Sequence, residues 1–119
     1  EFAAIGGAGV EGTLMTFPPD PRKRPEAAEV VKKIQAKNFS AETYTLYTYA
    51  AFQVVQQAAA EAKSIDAAAL AKAMHSGKTF KTVVGDLAFD KKGDVTRADY
   101  VVYRWQKGAD GKISYSEIK

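Results

Sequence analysis

Cysteine is absent from this 119-residue chain, and histidine and tryptophan each occur once. The absence of cysteine excludes disulfide bonds, thiolate chemistry and cysteine-ligated zinc sites, but it does not identify a compartment. His75 has no serine, cysteine or acidic partner at a recognisable motif spacing, so we interpret it as a capping or surface residue. Because no pair of acidic residues can be assigned to one site, we predict no catalytic residues, no metal site and no cofactor.

Long apolar runs and clusters of charge are also scarce. No run approaches the ~20 residues that span a bilayer, and the N-terminal "EFAAIGGAG" lacks the features of a signal peptide, so we expect no membrane insertion. The net charge of +3 is mild. Arg22, Lys23 and Arg24 form the one basic cluster, which we interpret as a solvated loop, so we do not expect nucleic-acid binding. The missing initiating methionine suggests a processed product or part of something longer.

What is present includes "GAGVEG" at residues 7–12, which fits the G-x-G-x-x-G template of dinucleotide-binding loops. That template binds phosphate only where a strand leads into the glycines and a helix follows them. Here "EFAAI" reads as the end of a helix, and the β-branched, apolar "TLMTF" follows. The order is reversed, so we expect no phosphate site.

A second motif, "QKGADGKISYSE" at residues 106–117, matches an EF-hand loop at Asp110, Gly111 and Glu117 among others. Calcium also needs oxygen ligands early in the loop, where Gln106 and Gly108 stand. We therefore predict a β-turn between two short strands instead of a calcium site.

Three segments carry apolar residues at the i, i+3, i+4 spacing of a helix. The first begins near Pro25 and stops near Asn38, the second spans about 41–63, and the third is capped by Asp66 and closed by Gly77. Their apolar positions are, in chain order, Ala27, Val30, Val31 and Ile34; Tyr47, Ala50, Ala51, Val54, Val55, Ala58, Ala59 and Ala62; and Ala67, Leu70, Ala71 and Met74.

The remaining segments are extended: "GTLMTF", "FKTVVG", "LAF" and "YVVYRW" are predicted strands, with turns at "GD", "DKKGD" and "KGADGK". In the last strand Val101, Tyr103 and Trp105 alternate with Tyr100, Val102 and Arg104, as expected when one face of a strand is better buried than the other. The order of one strand, three helices and three or four strands predicts a mixed α/β fold. Alternating βαβ units are missing, so a complete doubly wound domain is not expected.

The aromatic segment "TYTLYTYAAF" at residues 43–52 is the candidate ligand site. Tyr44, Tyr47 and Tyr49 stand at the start of the long helix, where rings and phenol groups could contact a small organic ligand. The alternative is that Tyr47 joins the buried stripe and Tyr49 packs against its neighbours, and spacing alone favours that alternative.

Four blocks, "VEGTLMTFPPDP", "AEVVKKIQAK", "YTLYTYAAFQVVQQAAAEA" and "VVGDLAFDKKGDVTRADYVVYRW", together resemble the C-terminal third of periplasmic branched-chain amino acid binding proteins. These are the Leu/Ile/Val-binding receptors of ABC importers. The resemblance covers nearly the whole chain and implies a two-lobed α/β receptor that closes by a hinge on an amino acid or related small carboxylate.

The resemblance also implies site residues and partners. Tyr44 aligns with an aromatic residue that lines the side-chain end of the ligand, and Tyr47 and Tyr49 are neighbours of the cleft or hinge. The implied partners are the ligand and a membrane permease, and the implied location of the parent is the periplasm. Crossovers between the two lobes should fall near "PPDP" and near "DKKGDVTRAD".

Family members are about three times this length. The chain, residues 1–119, is therefore expected to be a C-terminal fragment that lacks most of the binding site and exposes apolar surface, so that it self-associates. The alternative is a small α/β interaction module that binds a protein partner through an exposed apolar face.

Overall fold

The computed structural model describes residues 1–97 and 99–118. The chain divides into two compact units, one comprising Glu1–Pro19 and Asp99–Lys119 and the other comprising Asp20–Ala98. Among the described residues, the helices and strands are, in chain order, α1 (Phe2–Gly6), β1 (Leu14–Phe17), α2 (Ala28–Gln35), α3 (Thr43–Ala62), α4 (Ala67–Met74), β2 (Phe80–Thr82), β3 (Gly85–Leu87), β4 (Val101–Lys107) and β5 (Ile113–Glu117). The predicted mixed α/β order is confirmed.

The first unit is built around an antiparallel sheet with strand order β1-β4-β5. Phe17 lies opposite Val101 in the register, and Trp105 lies opposite Tyr115. The predicted alternation along β4 is confirmed, because Tyr103 is buried and Trp105 half-buried on one face. The Tyr115 ring lies 5.0 Å from that of Trp105 and 5.5 Å from that of Tyr103, centroid to centroid, so the buried face is an aromatic cluster.

The second unit packs α2, α3 and α4 around the β2-β3 hairpin. Its core consists of two groups of buried residues: Ala27, Leu46, Ala50, Val83 and Val84; and Val54, Ala58, Ala73 and Phe80. The antiparallel pairing of β2 with β3 places Phe80 opposite Leu87. Both groups draw on α3, which is therefore the central element of this unit.

Helix boundaries agree with the sequence patterns to within a few residues. Pro25 opens a short 3₁₀ turn, and α2 begins after it at Ala28. Lys63 ends α3 in the left-handed conformation with a φ of 49°. The Asp66 carboxylate accepts a hydrogen bond of 3.0 Å from the backbone N–H of Ala69, which confirms the predicted cap of α4.

The predicted buried stripe of α3 is only partly correct. Ala50, Val54 and Ala58 are buried, but Leu46 was missed, and Ala51 and Val55 are exposed. Residues 46, 50, 54 and 58 form one i, i+4 row, so the core contacts a narrower strip of the helix than its apolar composition suggests. In α4, similarly, Ala71 was predicted to belong to the apolar face but is exposed, and Ala73 is buried instead.

The prediction of one continuous strand over "FKTVVG" is wrong. Thr82 pairs with Gly85, so Val83 and Val84 form the two-residue connection of a hairpin, and the predicted "GD" turn lies inside β3. Both valines are almost fully buried in the core. Burial of their side chains therefore outweighs the strand preference of β-branched residues.

Candidate functional site

The candidate site is the start of α3, where the three tyrosines lie. Tyr44 is 71% exposed and projects from the first turn of the helix. Tyr47 is half-buried and packs against the core group that contains Leu46 and Val84. The structure thus places Tyr47 largely in a packing role, whereas Tyr44 presents most of its ring to the exterior.

Tyr49 lies beside a shallow depression at α2. The depression is lined by apolar groups of Val30 and Ile34 and by two lysines, Lys33 and Lys37. The Lys33 ammonium is paired with the Glu29 carboxylate at 2.6 Å. This hydrogen bond and the negative charge of the Glu29 carboxylate raise the pKa of Lys33. The depression is therefore lined by both apolar and basic side chains, and the charge of one of the two lysines is balanced by Glu29.

The three tyrosines do not form one cluster. Successive helical residues are rotated by about 100°, so Tyr44 and Tyr47 lie about 60° apart around α3. Tyr49 is rotated by about 140° from Tyr44 and lies toward α2. One small ligand cannot be surrounded by all three rings on this helix alone.

Two glutamines on α3 anchor the hairpin, a role that the sequence reasoning missed. Gln57 donates to the carbonyl of Lys81 at 2.9 Å and accepts from its N–H at 3.1 Å. Gln53 accepts from the N–H of Val83 at 2.8 Å. Glutamines at i and i+4 on a predicted helix were the only available signal, and this spacing alone does not name the hydrogen-bond partner.

The glycine-rich segment has the reversed order expected from the sequence. Helix α1 precedes it, a 3₁₀ turn spans Gly7–Val10, and β1 follows. The N–H of Gly12 and the carbonyl of Thr13 already bond the backbone of Trp105, at 2.8 and 2.9 Å. This segment therefore extends the β1–β4 pairing.

The EF-hand-like segment is the β4–β5 hairpin, as predicted. The backbone N–H of Gly108 bonds the carbonyl of Lys112 at 2.8 Å, and the Asp110 carboxylate accepts from the N–H of Lys112 at 3.0 Å. Over residues 1–97 and 99–118, no group of three or more histidine, aspartate or glutamate side chains is arranged to hold a metal ion.

The remaining polar candidates have structural roles. His75 is the C-terminal cap residue of α4 and is exposed, in agreement with its interpretation as a capping residue. In the basic cluster, Arg22 is paired with the Asp20 carboxylate at 2.8 Å. Within the part of the chain that the structure covers, no helix is long and apolar enough to cross a membrane.

A model of the periplasmic binding protein family matches residues 1–112. A protein of Brucella suis named Leu/Ile/Val-binding protein homolog 1 is 55% identical over 115 residues, which is 97% of this chain and 31% of that protein. An amino acid binding protein of Pseudomonas aeruginosa is 42% identical over 109 residues, which is 92% of this chain and 28% of that protein. The chain thus spans about a third of the length of these relatives.

Solved structures have the same fold as this chain over about a third of their own length. A leucine-binding protein, LivK, of Thermotoga maritima superposes with a TM-score of 0.73 at 25% identity, covering 96% of this chain and 32% of the other. A Brucella ovis protein described as binding leucine, isoleucine, valine, threonine and alanine superposes with a TM-score of 0.65 at 18% identity, covering 98% and 33%. The second likeness bears on the fold alone.

Proposed function

Because the chain belongs to the periplasmic binding protein family, we propose that it is part of the substrate-binding component of an ABC importer. The full-length protein would capture an amino acid or related small carboxylate by hinge closure, a shift between open and closed states driven by the ligand. The observation that carries this proposal is the 55% identity to a Leu/Ile/Val-binding protein homolog over 97% of the chain. The role is transport and involves no enzymatic step.

This chain would contribute only part of the binding site. It spans 31% of that relative, so most ligand contacts would come from the other two thirds. The parent would act in the periplasm and deliver its ligand to a membrane permease. These two partners, ligand and permease, follow from the same family role.

We further propose that the two compact units belong to the two lobes of the parent. The division between Pro19 and Asp20 falls in the segment "PPDP", where the sequence predicts a crossover. The second division falls after residue 98, in the segment "DKKGDVTRAD" that should hold another crossover. Residue 98 itself lies outside the described residues. The agreement of both divisions with the expected positions supports this assignment.

Among the tyrosines, Tyr44 is the proposed ligand contact. Its ring is 71% exposed, whereas Tyr47 is half-buried against the core and Tyr49 lies beside the depression at α2. A large exposed ring is available to pack against an aliphatic or aromatic ligand side chain. Tyr47 and Tyr49 would have supporting positions at the edge of the site.

The test uses a full-length chimera, defined as the Brucella suis relative with its matched third replaced by this chain. We expect the chimera to bind leucine, isoleucine or valine in calorimetric titration. Tyr44→Ala should weaken that binding about tenfold or more, the loss typical of a well-packed aromatic contact. Tyr100→Ala, which removes another ring that is 70% exposed, serves as the control. A folded chimera that binds none of these amino acids would contradict the proposed function.

On its own, the chain should associate with copies of itself. Several large apolar side chains are strongly exposed, among them Phe39 at 71%, Phe52 at 72% and Ile65 at 88%. Surface of this kind is rarely left open on a monomer. Association would bury part of it in the absence of the other two thirds of the receptor.

A further inference from the structure

Two arginines that are distant in the chain approach the same turn of the β2-β3 hairpin. Arg24 follows the division between Pro19 and Asp20, and Arg97 precedes the division after residue 98. An added Cβ at Gly85 would lie 3.1 Å from Nη1 of Arg24 and 3.1 Å from Nη1 of Arg97. The turn therefore receives one guanidinium group from the neighbourhood of each predicted crossover.

The chain that leads to the second division is held against the hairpin by its backbone. Val95 forms a β-bridge with Phe89, and the N–H of Thr96 donates to the carbonyl of Ala88 at 2.9 Å. The Thr96 hydroxyl donates to the same carbonyl at 3.3 Å. Hydrogen bonds of this kind fix a segment to its neighbour as in a sheet, so residues 95 and 96 follow the hairpin.

Arg97 continues this attachment with its side chain. Its Nη2 donates to the carbonyl of Val84 at 3.2 Å, and its Nη1 donates to the carbonyl of Asp86 at 3.3 Å. The planar guanidinium group therefore spans Gly85, a geometry that the single ammonium group of a lysine does not reproduce. The absence of a side chain at Gly85 leaves room for this contact.

The chain that follows the first division is fixed as well. Pro21 is fully buried. The Asp20 carboxylate accepts from the N–H of Arg22 at 3.0 Å, and the N–H of Arg24 donates to the carbonyl of Pro21 at 3.1 Å. Within this unit the chain is therefore held from Asp20 onward at one end and up to Arg97 at the other.

We infer that Arg97 is a positioning residue for lobe closure, which fixes the second crossover to the same hairpin turn that Arg24 contacts. With both segments held on one turn, bending is confined to the two divisions, and the units move about two fixed ends. A hinge consists of a few residues that absorb the change in backbone angles between rigid parts. The inference rests on the proposed function, because it requires the two units to belong to two lobes.

The test measures the distance between the two units in the full-length chimera. Lys72→Cys on α4 and Ser114→Cys on β5 introduce one exposed thiol in each unit for spin labels, with any cysteine in the rest of the chimera replaced by serine. Arg97→Met keeps an unbranched chain but donates no hydrogen bond. We expect Arg97→Met to broaden the ligand-free distance distribution in pulsed electron paramagnetic resonance, because the bending segment then extends back to the bridge at Val95.

Hydrogen exchange reports the same change locally. The Thr96 amide should exchange about tenfold or more faster in Arg97→Met, since the segment that carries it opens more often. Arg97→Lys keeps the charge without the planar fork and should have a smaller effect on both measurements. Arg104→Met removes an exposed arginine from β4 and is the matched control, which should leave both measurements unchanged.

Two results would overturn the inference. One is that Arg97→Met changes neither the distance distribution nor the exchange of Thr96. The other is faster exchange with an unchanged distance distribution, which would make the role of Arg97 purely local. If Arg97→Met abolishes the cooperative melt of the chimera, Arg97→Lys is read by the same criterion.

Titration with leucine, isoleucine and valine separates this inference from the proposed function. A chimera that binds none of the three, but whose distance distribution broadens in Arg97→Met, supports the positioning role and contradicts the function. A chimera that binds, but whose distance distribution is unchanged in Arg97→Met, does the reverse.

Discussion

Gly85 stands where the hairpin meets two arginines. Its φ is 93°, and an added Cβ would lie 3.1 Å from Nη1 of Arg24 and 3.1 Å from Nη1 of Arg97. Arg97 also donates to the carbonyl of Val84 at 3.2 Å. The position therefore combines a backbone conformation that favours glycine with close approach of two guanidinium groups.

Gly85→Ala should lower the free energy of unfolding by about 1–3 kcal/mol, because the new methyl group strains the backbone and displaces a guanidinium. Gly77→Ala is the control, since its φ is 79° but no atom lies within 4 Å of the added Cβ. Urea denaturation of both variants measures the difference. Equal losses of unfolding free energy in the two variants would mean that the arginine side chains move aside at no cost, so that backbone strain accounts for the whole effect.

The free energy of unfolding should depend on pH through the carboxyl group of Asp20. Its carboxylate accepts from the backbone N–H of Arg22 at 3.0 Å and from the Arg22 side chain at 2.8 Å. The side-chain hydrogen bond from Arg22 is the main cause that lowers the pKa of Asp20. A carboxyl whose pKa is lower in the folded state stabilises the fold above its unfolded value, 3.8, and loses that contribution as pH falls further.

Asp20→Asn keeps a capping oxygen but removes the charge, so it should lower the free energy of unfolding at pH 7 by roughly 0.5–1 kcal/mol. The difference from the natural chain should shrink below about pH 4, as the carboxyl itself becomes protonated. Urea denaturation at pH 7 and pH 3 checks this. A difference that is the same at both values would mean that the ion pair contributes nothing measurable.

At the scale of elements, two side chains of α3 form hydrogen bonds with the backbone of the β2-β3 hairpin, as a neighbouring strand would. Gln53 and Gln57 lie one turn apart, and their amides bond the backbone of Val83 and Lys81 along β2 and the turn that follows it. A backbone N–H that is buried with its residue needs a partner, and Val83 is only 2% exposed. The helix therefore fixes the hairpin by hydrogen bonds as well as by packing.

Gln53→Ala should destabilise the chain by about 1–3 kcal/mol, because it leaves the Val83 N–H without its acceptor. Gln56→Ala changes the same residue type at an exposed position on α3 and should stay within about 0.5 kcal/mol. Amide hydrogen exchange at Val83 should accelerate in the first variant and stay unchanged in the second. Because alanine favours a helix at least as well as glutamine, similar losses in both variants would mean that the hydrogen bond from Val83 to Gln53 is not the cause.

Secondary-structure type was largely predictable at this scale because it depends on local spacing. The cap at Asp66 and the hairpin at residues 107–112 follow from short-range chemistry and are confirmed. The prediction of a strand failed at Val83 and Val84. Their preference for strands is real, but the cost of exposing two valines exceeds the cost of placing them in a turn.

For the whole molecule, exposed apolar surface leads to a prediction about mass. At micromolar concentration the isolated chain should sediment or elute as a multiple of its 12.9 kDa mass. The driving force is burial of apolar surface, at about 25 cal/mol per Å². Phe52→Ser should shift the equilibrium toward the monomer more than Ala60→Ser, which introduces the same residue at an exposed alanine of α3. A monomer with a cooperative melt would contradict self-association.

The family assignment is confirmed at this scale as well. The resemblance drawn from four sequence blocks agrees with the family model over residues 1–112 and with the LivK structure. The alternative of a self-contained interaction module finds no support among these relatives. The assignments of Tyr44, Tyr47 and Tyr49 to a ligand site stay predictions, because neither the described contacts nor the likeness to these relatives identifies a ligand contact.

The sequence by itself determined the family, through the resemblance of its four blocks to known members. It also determined the α/β class and the order of elements, because periodicity, caps and turn residues act over a few positions. Only the tertiary structure decided which row of α3 is buried, that Val83 and Val84 make a turn, and that Tyr49 lies apart from Tyr44 and Tyr47. These outcomes depend on which elements pack together. A helix with two apolar faces can bury either one, and the choice follows from the surface that meets it.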